Sequence, residues 1–159
     1  SVLENVMTGR HALVRYGVAD SILRTPRFRA GERACREAAL EKLEFVGLAD
    51  KKDILAGELP YGSQRLLEIA RAVAAEPILL LLDEPAAGLN TQETKSLAAL
   101  IARVRDELGI TVGLVEHDMD LVMGISDAVT VLNFGTVLAS GDPAQIQANP
   151  DVVAAYLGG

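Results

Sequence analysis

An α/β fold with parallel core strands is the architecture this sequence predicts, on three observations. Ile78, Leu79, Leu80, Leu81 and Leu82 run without alternation into Asp83, Glu84 and Pro85, and an apolar run of strand length with no period of two reads as a strand covered on both faces, as in a parallel sheet. From that run onward strand-like and helix-like segments alternate, which is the pattern of a layered α/β domain. Ahead of it the apolar spacing is mostly helical. The 159 residues, 50% of them hydrophobic, are sized for one domain with a substantial core.

The elements follow in order. Between Arg10 and Ala30 the chain is expected to form a loop or short helices, because Thr25-Pro26 and Gly31 interrupt any period. Glu32 to Gly47 places Ala39, Leu40, Leu43 and Val46 on one stripe and ends at a glycine suited to a left-handed cap. Gly62 and Ser63 precede a helix whose Leu66, Leu67, Ile69, Ala70 and Val73 pack inward. The free N–H groups at its start make an anion site by geometry; an ordinary capped helix reads the same way. The strand at 78–82 stops at Pro85. Asn90 and Glu93 form a helix N-cap pair, and Leu97, Leu100, Ile101, Val104 and Leu108 line one face before Gly109. Ile110 to Val115 is a second buried strand. Ala128 to Leu132 and Thr136 to Ala139, joined through Asn133, Phe134 and Gly135, read as a hairpin. Asp142-Pro143 and Asn149-Pro150 each pair a capping residue with proline at the first helical position, which predicts two short closing helices. Residues 1–76 are thus expected to form a helical subdomain with a basic insert, and 77–159 a portion of an α/β core.

Ligands bind beyond the carboxyl ends of the strands in such sheets. Asp83 would there meet Mg²⁺, and Glu84 whatever must be deprotonated or oriented beside it, although the same octet also suits acids that cap a following turn. His117 stands where the strand at 110–115 runs out, while His11 matches no pattern, and two histidines so far apart argue against a zinc site. The single cysteine, Cys35, cannot form an internal disulfide, which fits a reducing compartment and a buried or inert thiol. A net charge of −7, 4% aromatics and no tryptophan argue against a nucleic-acid binder. The charge is uneven: seven arginines lie between Arg10 and Arg36 against Asp20 and Glu32. That segment reads as a solvated surface, or as a face near an anionic leaflet or a membrane partner. No apolar run reaches bilayer length and Ser1-Val2-Leu3-Glu4 has no signal-peptide character, so a soluble chain is expected.

Four segments carry a family resemblance in their order and spacing: Leu59-Pro60-Tyr61-Gly62-Ser63-Gln64, the run ending in Asp83-Glu84-Pro85, Ala86-Ala87-Gly88-Leu89-Asn90, and Val115-Glu116-His117-Asp118. Together they resemble the ATP-binding subunit of ABC transporters, closest to the branched-chain amino acid importer (LivG-like) subfamily, for which LPYG followed by QRLLEIARAVA and an ending in AYLGG are typical. The resemblance implies the C-terminal portion of a P-loop NTPase domain, with ATP and Mg²⁺ as ligands. Asp83 resembles the Walker B aspartate that holds Mg²⁺ through water, Glu84 the residue that orients or deprotonates the attacking water, and His117 the switch histidine at the γ-phosphate. Leu59, Pro60, Tyr61, Gly62, Ser63 and Gln64 match the signature motif, which works in trans on ATP held by a second ABC ATPase subunit. Pro60, Tyr61 and Ser63 replace the usual serine, glycine and glutamine there. Gly88, Leu89 and Asn90 match the D-loop at the dimer interface, with Asn90 where aspartate is usual.

The same resemblance implies membrane-embedded permease subunits as partners and a cytoplasmic position, peripheral on the inner face of the plasma membrane. A phosphate-cradling GxxxxGK[ST] loop is not among these residues, which contain no Gly-Lys dipeptide. The chain is therefore expected to be the C-terminal portion of a longer ATPase and inactive alone. The alternative is a non-catalytic module that donates only its signature face to a partner. A soluble ABC ATPase acting on DNA or ribosomes is disfavoured by the acidic charge.

Overall fold

The computed structural model describes residues 1–157; Gly158 and Gly159, the end of the AYLGG stretch, lie outside the described residues. The first helix, α1 (Val2–Gly9), begins at a capping box in which the Ser1 hydroxyl accepts from the Glu4 N–H at 3.2 Å, satisfying donors that a helix start leaves free. Its Val2, Leu3 and Val6 are fully buried.

The segment expected to be a loop or short helices is partly so: a 3₁₀ turn at His11–Leu13 and the short α2 (Val18–Leu23) occupy it. The break expected at Thr25-Pro26 is instead a helix start. The third helix, α3, runs Pro26–Val46, with the Thr25 hydroxyl accepting from the Phe28 N–H at 3.2 Å, because proline at the first helical position gives up no intrahelical bond. Gly31 does not interrupt it either. The Tyr16 ring packs on that glycine so closely that a Cβ would lie 2.7 Å from it, and the Tyr16 hydroxyl donates to Glu32. Gly47 closes α3 at φ 77°, and Ala39, Leu43 and Val46 are buried as the stripe predicts.

The next helix, α4 (Tyr61–Val73), begins three residues before the expected point, so Gly62 and Ser63 lie inside its first turn. Pro60 is its N-cap with no side-chain cap bond, and the Gln64 amide donates back to the Leu59 carbonyl at 2.9 Å. Helices α1, α3 and α4 pack on one another. At Gly9 the approach is closest: a Cβ there would sit 2.1 Å from the Arg71 carbonyl oxygen.

Strand β1 (Leu79–Asp83) pairs in parallel with β2 (Thr111–Val115), from Leu79 opposite Thr111 to Asp83 opposite Val115. The helix between them, α5 (Thr91–Leu108), has the expected Asn90–Glu93 capping box and ends at Gly109 with φ 65°. The expected cover on both faces is not found. Leu80 is 6% exposed, whereas Leu79 and Leu81 are 48% and 73% exposed. Successive strand side chains point to opposite faces, and only one face packs into the main core, where Leu80 and Leu82 join residues of α1, α3, α4 and α5. Strand β2 is likewise less buried than expected, with only Ile110, just before it, buried and Val115 exposed.

Helix α6 (Met119–Ile125), capped by the Asp118 carboxylate, follows. The expected hairpin is β3 (Val129–Asn133) and β4 (Thr136–Gly141), turning through Phe134 at φ 47° and Gly135 at φ 78°, both left-handed as a tight two-residue hairpin turn requires. Two proline-initiated helices, α7 (Pro143–Ala148) and α8 (Pro150–Val152), then pack Ile146 and Val152 against Val131 in a second, smaller core.

Candidate functional site

The carboxyl ends of β1 and β2 bring together the acids and the histidine that the sequence singles out. Asp83 is the last residue of β1 and is exposed. The next residue, Glu84, adopts φ 44°, a left-handed conformation that costs a non-glycine residue about 1–2 kcal/mol. It persists because the turn is fixed on several sides. The Glu84 N–H donates to the Val115 carbonyl at 2.8 Å, the Ala87 N–H donates to the Glu84 carbonyl at 3.1 Å, and Pro85 between them is buried. Past the end of β2, His117 places Nδ1 3.7 Å from Glu84 Oε1, and both side chains remain open to solvent. A carboxylate and an imidazole adjacent at a sheet's carboxyl edge, beside a second exposed carboxylate, can orient a water and accept its proton. Asp83 offers a hard oxygen donor of the kind Mg²⁺ takes, and one is enough because that ion keeps several waters.

The signature-like segment and the D-loop-like segment lie against one another. Leu59 is buried and anchors the segment from the core side. Tyr61 donates to the Ala87 carbonyl at 3.1 Å, and its ring lies 3.0 Å from where a Cβ on Gly88 would be. Arg65 donates to the Tyr61 hydroxyl and to Glu68. Gly62 faces Glu93: a Cβ there would come within 2.6 Å of Glu93 Oε1, while Oε2 of the same carboxylate accepts from the Asn90 N–H at 3.0 Å. So Tyr61, Gly62, Gly88 and Asn90 are brought together, with Pro60, Ser63, Gln64 and Leu89 beside them in the chain. The turn at Pro85–Ala87 separates this group from Asp83, Glu84 and His117.

A family model described as "ABC transporter" matches residues 2–87, and one described as "Branched-chain amino acid ATP-binding cassette transporter" matches residues 136–159. The chain belongs to the ABC transporter family. This ABC transporter chain is 48% identical over 158 residues to the high-affinity branched-chain amino acid transport ATP-binding protein LivG of Escherichia coli (strain K12), covering 99% of this chain and 62% of that protein. It is 49% identical, with the same coverage, to the ATP-binding protein BraF of the same description from Pseudomonas aeruginosa. The chain thus spans about three fifths of the length of these relatives. Its fold matches the crystal structure of an ATP-binding cassette of an ABC transporter in the ADP conformation, with a TM-score of 0.78 and 29% identity over 100% of this chain and 63% of that one. The P-loop NTPase fold class expected from the motifs is that of these neighbours.

Two features of the ABC transporter chain are not among the residues the sequence singled out. Glu116 sits between strand β2 and His117 with a side chain only 1% exposed; an acid directly after an apolar strand was the available signal. The second is a cleft of about 700 Å³ between β2 and the β3–β4 hairpin, lined by Val112, Leu114, Val129, Val131 and Arg105 and reaching Glu84 and His117 at one end.

Proposed function

We propose that this chain contributes the hydrolytic carboxylates and a signature face to an ATPase that energises an ABC importer of branched-chain amino acids or similar small solutes. The observation that carries the reading is the meeting of Asp83, Glu84 and His117 at the carboxyl ends of two parallel strands, with Glu84 Oε1 3.7 Å from His117 Nδ1. In this reading Glu84 orients and deprotonates the water that attacks the γ-phosphate. His117 holds that water and the phosphate in line, and Asp83 with its water shell holds Mg²⁺. The ion, when bound, neutralises charge on the transferring phosphoryl group. Phosphoryl transfer asks mainly for positioning and charge stabilisation, so few protein groups are needed on this side.

The N-terminus of α4 acts in trans on ATP held by a second ABC ATPase subunit, through the N–H groups of Tyr61, Gly62 and Ser63, while Gly88, Leu89 and Asn90 line the dimer interface. Permease subunits in the membrane receive the motion, with the helical part at residues 1–76 as the docking side and 77–159 as the core. No helix among the described residues is long and apolar enough to cross a membrane, and the reading places the chain on the cytoplasmic side of such a permease. The relatives' descriptions as branched-chain amino acid transport ATP-binding proteins support the importer assignment.

Nucleotide binding with and without Mg²⁺ tests the metal role. In the full-length protein, Asp83→Asn is expected to bind ATP without Mg²⁺ as the wild type does and to lose the tightening that Mg²⁺ brings; an Asp83→Asn protein that still responds fully to Mg²⁺ contradicts the assignment.

A further inference from the structure

We infer that Glu116 is a positioning residue for hydrolysis, a buried carboxylate that holds the turn after Glu84 and the backbone of His117 in one rigid unit; this rests on the roles proposed for Glu84 and His117. Its two oxygens are divided between the two sides. Oε1 accepts from the Ala86 N–H at 2.8 Å, and Oε2 accepts from the His117 N–H at 3.2 Å. The latter oxygen also lies 3.8 Å from His117 Nδ1. Bonds from backbone N–H groups to an ionised carboxylate are the strong kind, and a side chain 1% exposed has no bulk water to replace them. One residue therefore fastens the Pro85–Ala87 turn, on which the left-handed Glu84 depends, to the loop that carries His117.

The chemistry explains why an acid is required. Ala86 and His117 each present a donor, and only a side chain with two acceptor oxygens on a short fork can take both. Glutamine keeps one acceptor and turns the other into a donor facing an N–H, so one of the two loops comes loose. Alanine releases both. Because both Glu116 oxygens are taken by backbone N–H groups of the two loops, its loss acts on the geometry of Glu84 and His117 and not on nucleotide affinity, and displacements of about 1 Å at a reacting centre can cost on the order of 100-fold in rate.

The test uses the full-length protein in its native assembly with ATP as the probe, comparing wild type, Glu116→Gln, Glu116→Ala, Glu84→Gln and the Glu84→Gln/Glu116→Gln double variant. Glu116→Gln is expected to lower kcat roughly 10- to 100-fold, with KM for ATP and ATP binding close to wild type. In the slow Glu84→Gln background the same change is expected to cost much less than that factor, because the group it positions is already gone. Glu116→Gln with wild-type kcat, beside a Glu84→Gln protein that has lost turnover, overturns the inference alone. So does a loss confined to KM, or a full multiplicative loss in the double variant. Full turnover in Glu84→Gln overturns the underlying reading instead. Should Glu116→Ala fail to fold, Glu116→Gln, which fills the same volume, decides the matter.

Discussion

Glu84 carries a backbone conformation that few glutamates adopt, and the surrounding bonds rather than its own preference keep it there. Neither its φ nor the distance to His117 could be read from the sequence, since Val115-Glu116-His117-Asp118 and Asp83-Glu84-Pro85 meet only because β1 and β2 pair in parallel and in register. The residue types and their place at strand ends are legible; the role of Glu116 is not, because an acid beside a histidine looks like surface until its side chain is seen to be enclosed. Cys35 shows the opposite case, a residue whose bland reading holds. It is 6% exposed, and burial first, then the Glu32 carboxylate, push its thiol above the usual range. Its reaction with a maleimide in the native protein is expected to be slow at neutral pH and to become fast on unfolding; prompt stoichiometric labelling of native protein would show that the thiol is open. Gly88, at φ 78° with Tyr61 on its Cβ side, is a second residue whose type is fixed by its surroundings. Gly88→Ala is expected to lose about 1–2 kcal/mol in denaturant unfolding, against no loss if the loop can relax.

Among the elements, the helix pair α1 and α4 makes the sharpest demand. Arg71 of α4 approaches Gly9 so closely that a Cβ would overlap its carbonyl oxygen, and a backbone atom cannot swing aside as a flexible side chain can. Gly9→Ala is expected to force the helices apart and cost about 1–3 kcal/mol, read as a fall in the unfolding midpoint; an unchanged midpoint would mean that α1 is not held against α4 as described. Helix α3 illustrates where element reading from sequence fails. Thr25-Pro26 was expected to break a helix and instead starts one, because the same dipeptide serves both purposes and only the register of Cys35, Ala39, Leu43 and Val46 with the core decides between them. The Asn90–Glu93 capping box, the hairpin turn and the proline-initiated helices near the end were legible because their chemistry is local. Cover over β1 was not, because burial depends on what stacks upon the sheet, which no residue in the strand records.

At the scale of the molecule, one face of the β1–β2 sheet shows Leu79 and Leu81 to solvent, with Ile78 just before β1 and Val115 at the end of β2 also exposed, and β2 has one strand partner among the described residues. Apolar strand faces and open strand edges are sites of association. Residues 1–159 produced alone are therefore expected to self-associate, seen as a mass above one chain in light scattering, whereas the full-length protein free of nucleotide is expected to stay disperse; a monodisperse monomer of the short chain with a sharp thermal transition would contradict this. Two surfaces then organise the molecule, the strand-end edge at Asp83, Glu84 and His117, proposed as hydrolytic, and the start of α4 at Tyr61, Gly62 and Ser63, proposed as the signature face, joined through the turn at Pro85–Ala87 that both Tyr61 and Glu116 hold. The most direct test of that arrangement is phosphate release from ATP by the full-length protein carrying Glu84→Gln, with ATP binding measured on the same samples. Turnover is expected to fall by at least about 100-fold with binding unchanged; wild-type turnover in that variant would contradict the account.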